Sequence, residues 1–201
     1  MPEIVLASAS PSRRGLLERS GLKIEVVVSG VDEEDPRYSQ LSPSEMVVAL
    51  AIVKAHTVRK LVNRPALIIA CDSTFEFKGE SLGKPLTRER AIERAELLSG
   101  NEGRLYTGHC LIDTNKEIEI SDVVATKVHF AKMSSTEISS YVDTGEPLNV
   151  AGGFTLDGIS APFITKIEGE TSNVIGLSLP WLRSAISSLG YDWFDFVTVK
   201  K

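Results

Sequence analysis

The chain has 201 residues, 42% hydrophobic and 24% charged, values that suit a soluble globular protein of one large domain or two closely joined lobes. Its net charge of −5 argues against nonspecific nucleic-acid binding as the main task, and apolar runs such as 66–71 are far too short to span a membrane. Met1-Pro2-Glu3 lacks the basic region of a secretory signal, so a cytoplasmic protein is expected.

Residues 3–8 read as a buried strand, followed by a helix from about Pro11 to Ser20. Ser10 is placed to cap it, and Pro11 stands at the first helical position, where a missing N–H costs nothing. Gly21 closes the helix and 24–28 form a second strand. The following loop carries Asp32, Glu33, Glu34 and Asp35 in succession. Ser42-Pro43-Ser44-Glu45 is a capping box for a long helix to about Leu61, whose apolar stripe of Val47, Leu50 and Val58 also contains Lys54. Residues 66–71 are a continuous apolar strand of the doubly covered kind, running into Asp72-Ser73. A hairpin turning at Lys78-Gly79-Glu80 returns to Gly83-Lys84-Pro85, and Thr87 starts a helix that ends at Leu98-Ser99-Gly100.

Residues 104–113 and 117–131 then read as two long strands around Thr114-Asn115-Lys116. Ser134-Ser135-Thr136-Glu137 is a second capping box, opening a short helix that stops at Thr144-Gly145. An irregular glycine-bearing stretch runs from Gly152 to about Gly169, and 173–189 contains the last helix. The alternation of helices and strands predicts an α/β protein, 1–201 forming one domain whose two lobes flank a cleft. Cys71 and Cys110 read as small core residues of a reducing compartment, and His56, His109 and His129 show no metal-ligand spacing.

Four features sit awkwardly with a purely structural account. Arg13 and Arg14 occupy the first turn of a helix, where the macrodipole already carries positive charge; either they point into solvent, or serine hydroxyls, free N–H groups and guanidinium together form an anion site. Lys54 on an apolar stripe either snorkels to water or serves the interior. Asp72, directly behind a buried strand, either caps a tight turn or faces a ligand at the carboxyl end of that strand. Lys84 lies between a glycine and a proline that can aim it, though Gly-Lys-Pro is a weak signal. Cations together with the acids Glu33 and Asp72 suit a polyphosphate accompanied by a divalent metal.

These residues also carry a signature. Leu6 to Arg14 with Leu16-Leu17 is followed by Val31-Asp32-Glu33, Lys54-Ala55, Ala70-Cys71-Asp72-Ser73, Gly83-Lys84-Pro85 and Tyr106-Thr107-Gly108. Tyr141, Gly145-Glu146-Pro147, Ala151 to Phe154, Ile167-Glu168-Gly169 and Asn173 to Leu177 complete it. Each is weak alone; in this order they are specific, and the sequence resembles the Maf family of septum-formation-inhibitor-like nucleotide pyrophosphatases nearly end to end. The resemblance implies an elongated mixed β-sheet flanked by helices with a central cleft, as in inosine-triphosphate pyrophosphatases. It implies metal-dependent hydrolysis of a nucleoside triphosphate to the monophosphate and pyrophosphate, with Mg²⁺ or Mn²⁺ as cofactor. Asp72 falls on the family's proton acceptor and a metal position, Glu33 on its acidic loop residue at the metal, and Ser8, Arg13, Lys54 and Lys84 on its substrate-binding positions, with Arg14 as a further partner.

The sequence also departs from the family pattern. Ser12 stands where many members carry arginine. Ser73 looks closer to the thymidine/uridine branch, whereas Asp157, counted among the substrate-binding residues, looks closer to the 7-methylguanosine branch, so base preference stays open. The resemblance suggests a homodimer, which no stretch of the sequence specifies. The rival expectation is a nucleotide-binding regulator of cell division with little catalysis.

Overall fold

The apolar run beginning at Ala66 forms the spine of the molecule. In the computed structural model, which describes residues 1–198, it extends beyond the predicted 66–71 to make the twelve-residue strand β3, Ala66–Phe77. Asp72 therefore sits inside a strand rather than after one, and no turn is there for it to cap. The other strands are β1 (Glu3–Leu6), β2 (Ile24–Val26), β4 (Glu80–Leu82), β5 (Glu102–Asp113), β6 (Ile118–Phe130) and β7 (Ile164–Glu168). They form one seven-stranded mixed sheet in the order β2-β1-β3-β5-β6-β7, with β4 paired to β3. β1 runs parallel to β2 and β3; the β3–β5, β5–β6 and β6–β7 pairs are antiparallel. β7 falls within the stretch the sequence analysis reads as irregular.

Six α-helices accompany the sheet among the described residues: α1 (Pro11–Arg19), α2 (Pro43–Arg59), α3 (Arg88–Leu98), α4 (Ser135–Asp143), α5 (Thr171–Ile175) and α6 (Leu179–Ser188). The capping signals act as read: Ser10 accepts from the Arg13 N–H, and Ser42 and Ser134 each form a reciprocal box with a glutamate three residues on. The last predicted helix is two, because Gly176 takes φ of 112° after α5 and turns the chain.

Strand alternation divides the core into two layers. Ala66, Ile68 and Ala70 pack with Ala51, Ala55 and Val58 of α2. On the other face Leu67, Ile69 and Cys71 pack with Leu16 and Leu17 of α1 and with Leu182 and Ile186 of α6. Farther along, Phe75, Phe130 and Phe154 meet edge to face, with centroids 4.9–5.8 Å apart.

Gly108 brings α2 unusually near the sheet. A Cβ there would lie 2.2 Å from the Val47 carbonyl oxygen, so a helix backbone rests where any other residue would place a side chain.

β1 and β4 share the same edge of β3 but leave a gap between them. β1 ends with Leu6 opposite Ile69, β4 begins pairing at Phe75 opposite Leu82, and the segment between carries Asp72 and Ser73. The opening lies where a strand has been left out.

Both cysteines are buried and free, and burial pushes the Cys71 thiol up to about 11, in keeping with an inert core role. His109 is buried against Trp181, their ring centroids 4.6 Å apart, and its Nε2 accepts the Ser178 N–H at the start of α6. Burial, helped by the Arg13 charge, lowers its pKa to about 3. Unfolding releases an imidazole of ordinary value near 6.5, so between those limits the unfolded chain binds a proton that the native chain refuses. Stability should therefore fall as pH drops below 6.5, by about 2 kcal/mol from this group between pH 7 and pH 5. Denaturant midpoints at the two pH values check this, and His109→Asn should flatten the slope even if it lowers stability at both.

Candidate active site

The hollow at the gap has a volume of about 510 Å³ and draws its lining from segments distant in sequence. Ser8 and Arg13 reach it from the β1–α1 turn and the start of α1, Lys54 from α2, Asp72 and Ser73 from β3, Lys84 from the turn after β4. Glu33 and Asp157 complete the charged lining.

Neighbouring positions on β3 serve opposite layers. Asp72 shares its face with Ala70 and meets α2: its Oδ1 accepts from Lys54 Nζ at 2.6 Å. The same ammonium donates to Glu33 Oε1 at 2.5 Å, although the lysine is only 5% exposed. Lys54 is thus no snorkelling surface residue; its charge is held inside by two carboxylates. Lys84 Nζ lies 3.4 Å from Glu33 Oε2, so Glu33 links the buried lysine to an exposed one. Burial alone would raise the Glu33 carboxyl, but the hydrogen bond and charge of Lys54, aided by Lys84, hold it below the usual range.

Ser73 turns to the other layer and meets α1. Arg13 donates from Nη2 to Ser73 Oγ at 2.9 Å, from Nη1 to Ser8 Oγ at 3.2 Å, and from Nε to the Gly176 carbonyl at 2.7 Å. The turn after α5 presents that carbonyl, which ties the Gly176 break to the site. The Ser73 hydroxyl lies 2.9 Å from that of Thr107, which in turn donates to the Asn173 carbonyl at 3.1 Å. Each hydroxyl can therefore accept one bond and pass one on, fixing the plane of the guanidinium.

The structure thus gathers Ser8, Arg13, Glu33, Lys54, Asp72, Lys84 and Asp157 around one hollow, with Arg13 and Lys84 sharing it. Arg14 does not join them. One step round the helix from Arg13, it points outward and pairs with Glu18 at 2.7 Å, its side chain 60% exposed. Asp157 stands at the rim, 3.9 Å from Arg19 Nη2. Thr107, Asn173 and Gly176 carry no site role in the sequence although all three lie within the family-like motifs; a glycine inside a helical pattern is the signal that marks the turn.

A larger hollow of about 680 Å³ lies around the end of α2, lined by Arg59 and Arg64 among others. There Arg59 pairs with Glu117, and Arg64 with Glu3 and Glu25, so these cations are already engaged.

No group of three or more His, Cys, Asp or Glu side chains converges as a metal cage among the described residues. Glu33 Oε1 and Asp72 Oδ1 both go to the Lys54 ammonium, which leaves to a cation Asp72 Oδ2, unbonded among the described residues, and Glu33 Oε2, which meets Lys84 at 3.4 Å. Two carboxylates with the remaining positions left to phosphate oxygens is how Mg²⁺ is commonly held, so the donor set fits such an ion.

The profile of the family described as Maf-like protein matches residues 3–189. A protein of Streptomyces coelicolor named nucleoside triphosphate pyrophosphatase is 49% identical over 188 residues, covering 93% of this chain and 90% of that one. One of the same name from Nostoc punctiforme is 48% identical over 196 residues, covering 98% of each. A crystal structure titled nucleoside-triphosphatase / dITP/XTP pyrophosphatase, from Mycobacterium abscessus, aligns over 94% of this chain and 95% of its own at 15% identity, with a TM-score of 0.42, too slight a likeness to assign anything.

The opposing influences on Glu33 can be separated. Lys54→Met removes the largest stabilising partner of the carboxylate and leaves burial opposed chiefly by Lys84, so the Glu33 pKa should rise. A carboxyl-carbon NMR titration reads this directly; an unchanged value would mean that Lys54 does not set the charge state of Glu33.

Proposed function

The chain belongs to the Maf family, and from that premise we propose that it hydrolyses a nucleoside triphosphate to the nucleoside monophosphate and pyrophosphate. The observation that carries this reading is the hydrogen-bonded group of Lys54, Asp72 and Glu33 in the same hollow as Arg13 and Lys84. Three cations suit a triphosphate, and an acid among them suits a reaction that must take up a proton. A site for passive phosphate capture gains nothing from a buried carboxylate, which repels phosphate oxygens.

In this reading water attacks the α-phosphorus, its proton goes to an Asp72 carboxylate oxygen, and the bond from the α-phosphorus to the bridging oxygen breaks, releasing pyrophosphate. Lys54 holds the Asp72 carboxylate in place and, once phosphate enters, shares its charge with the phosphate oxygens. Arg13 and Lys84 face the negative charge that grows on the departing pyrophosphate, an electrostatic contribution that commonly dominates phosphoryl chemistry. Ser8 and Ser73 keep the Arg13 guanidinium oriented before substrate arrives. Glu33 and Asp72 are the residues that would hold Mg²⁺ or Mn²⁺, which when bound neutralises phosphate charge. Asp157 is assigned to the nucleoside end, and Arg14 is left out of the substrate-binding set because it turns away from the hollow. The nucleotide is the proposed partner; assembly as a homodimer is a further expectation of family membership.

Purified protein given each nucleoside triphosphate with Mg²⁺ should release pyrophosphate, measured by a coupled phosphate assay. Binding without any product would favour a nucleotide-responsive regulator instead. Asp72→Asn should lower kcat by about a hundred- to ten-thousand-fold, the usual range for losing a general base, while nucleotide affinity stays measurable. Turnover at the parental rate would remove Asp72 from the chemistry.

A further inference from the structure

The segment Gly145-Glu146-Pro147 takes no part in the chemistry above, yet its carboxylate sits inside a turn that borders the hollow. Glu146 Oε1 accepts from the Thr155 hydroxyl at 2.7 Å and the Ser160 N–H at 3.2 Å, and Oε2 accepts from the Ile159 N–H at 2.8 Å. Ser160 reinforces the turn from inside, its Oγ accepting from the Thr155 N–H at 2.7 Å and donating to the Thr155 carbonyl at 2.8 Å. Residue 158 must be small for this wrapping: a Cβ on Gly158 would lie 2.4 Å from both Glu146 Oε2 and Thr155 Oγ1. Burial pushes the Glu146 carboxyl up, but these donors outweigh it and hold the group below its usual range, so it stays ionised.

The turn so held carries Thr155, Leu156 and Asp157, which with Phe154 line the hollow. This wall differs from the cationic one. It offers a ring, an aliphatic side chain, a hydroxyl and a carboxylate, surroundings that repel phosphate and suit a flat heterocycle with N–H donors. We propose that Glu146 is a positioning residue that fixes the nucleoside-facing wall, and with it the discrimination between bases, without touching the substrate. The inference rests on the reading of the hollow as a nucleoside triphosphate site and adds to it the residue that shapes its base end. The physical cause is rigidity. Selectivity among bases needs polar groups held in one place, and three hydrogen bonds to one carboxylate leave the turn little freedom.

The test compares two probes on the full chain: α,β-methylene nucleoside triphosphates carrying four different bases, which resist cleavage, and inorganic tripolyphosphate, which has no base. Calorimetric Kd values for each are measured in the parental protein, Glu146→Ala, Glu146→Gln and Gly158→Ala. Glu146→Ala should weaken the best nucleotide analogue tenfold or more and narrow the spread among bases, while tripolyphosphate stays within twofold. Glu146→Gln, which keeps one acceptor oxygen, should recover part of the loss. Gly158→Ala should reproduce the effect by crowding the carboxylate out, and it decides the matter if Glu146→Ala does not fold. Parallel weakening of tripolyphosphate, or an unchanged spread among bases, would overturn the proposal by reducing Glu146 to a general scaffold role. Failure of the parental protein to release pyrophosphate from any triphosphate would count against the hydrolytic reading alone, because the ratio of the two Kd values still reports on Glu146.

Discussion

One buried ammonium governs the arrangement of this molecule. Lys54 lies between Asp72 and Glu33 with almost no access to water, and an isolated charge there would cost several kcal/mol. The lysine and the buried Asp72 carboxylate therefore require one another, whereas exposed Glu33 keeps Lys84 as a second partner. This requirement sets the depth at which α2 must pack, and Gly108 is what permits that depth, since the α2 backbone occupies the space of its missing side chain. A helix lifted by a single methyl group would draw the ammonium away from β3.

The second organising device is the incomplete edge of β3. Ordinary pairing would satisfy the segment between Ile69 and Phe75 on both sides, but β1 stops short and β4 starts late. The strand stays firm because β5 pairs with it along nearly its full length. Reactive side chains thus stand on a rigid support beside an opening, while the cations approach from helices and a turn on either side. Arg13 is restrained from three directions, whereas Lys84 is half exposed and, among the described residues, pairs with Glu33 alone. The two ends of the cationic wall differ in freedom, the first oriented in advance and the second able to follow an incoming phosphate.

Much of this was legible in the sequence, for identifiable reasons. Helical period placed Lys54 on the stripe of Val47, Leu50 and Val58, and an ammonium on such a stripe signals an internal partner once acids are found opposite. The capping boxes at Ser42 and Ser134 located two helix starts because their chemistry is local. Less local features stayed hidden. β3 reads as ending at Cys71 because Asp72 and Ser73 interrupt the apolar run, yet its continuation is decided by pairing with β5, from Asp72 opposite Gly108 to Glu76 opposite Arg104, far away in sequence. β7 is short and carries exposed residues, so no alternation distinguishes it from loop. Arg13 and Arg14 are chemically identical neighbours, and only the direction each takes from α1 separates the one tied to Ser73 from the one paired with Glu18.

The back-to-back placement of Asp72 and Ser73 has a consequence for how this chain can diverge. Because successive side chains on β3 project to opposite layers, a one-residue deletion or insertion between Ile69 and Asp72 would exchange the addressees, handing the carboxylate to the arginine side and the hydroxyl to the lysine side. Such a frame slip would also invert the aliphatic residues on one part of the strand. Descendants of this sequence are therefore freer to vary in length at the hairpin tips, away from the loop that delivers Glu33, but along β3 they can drift only by substitution.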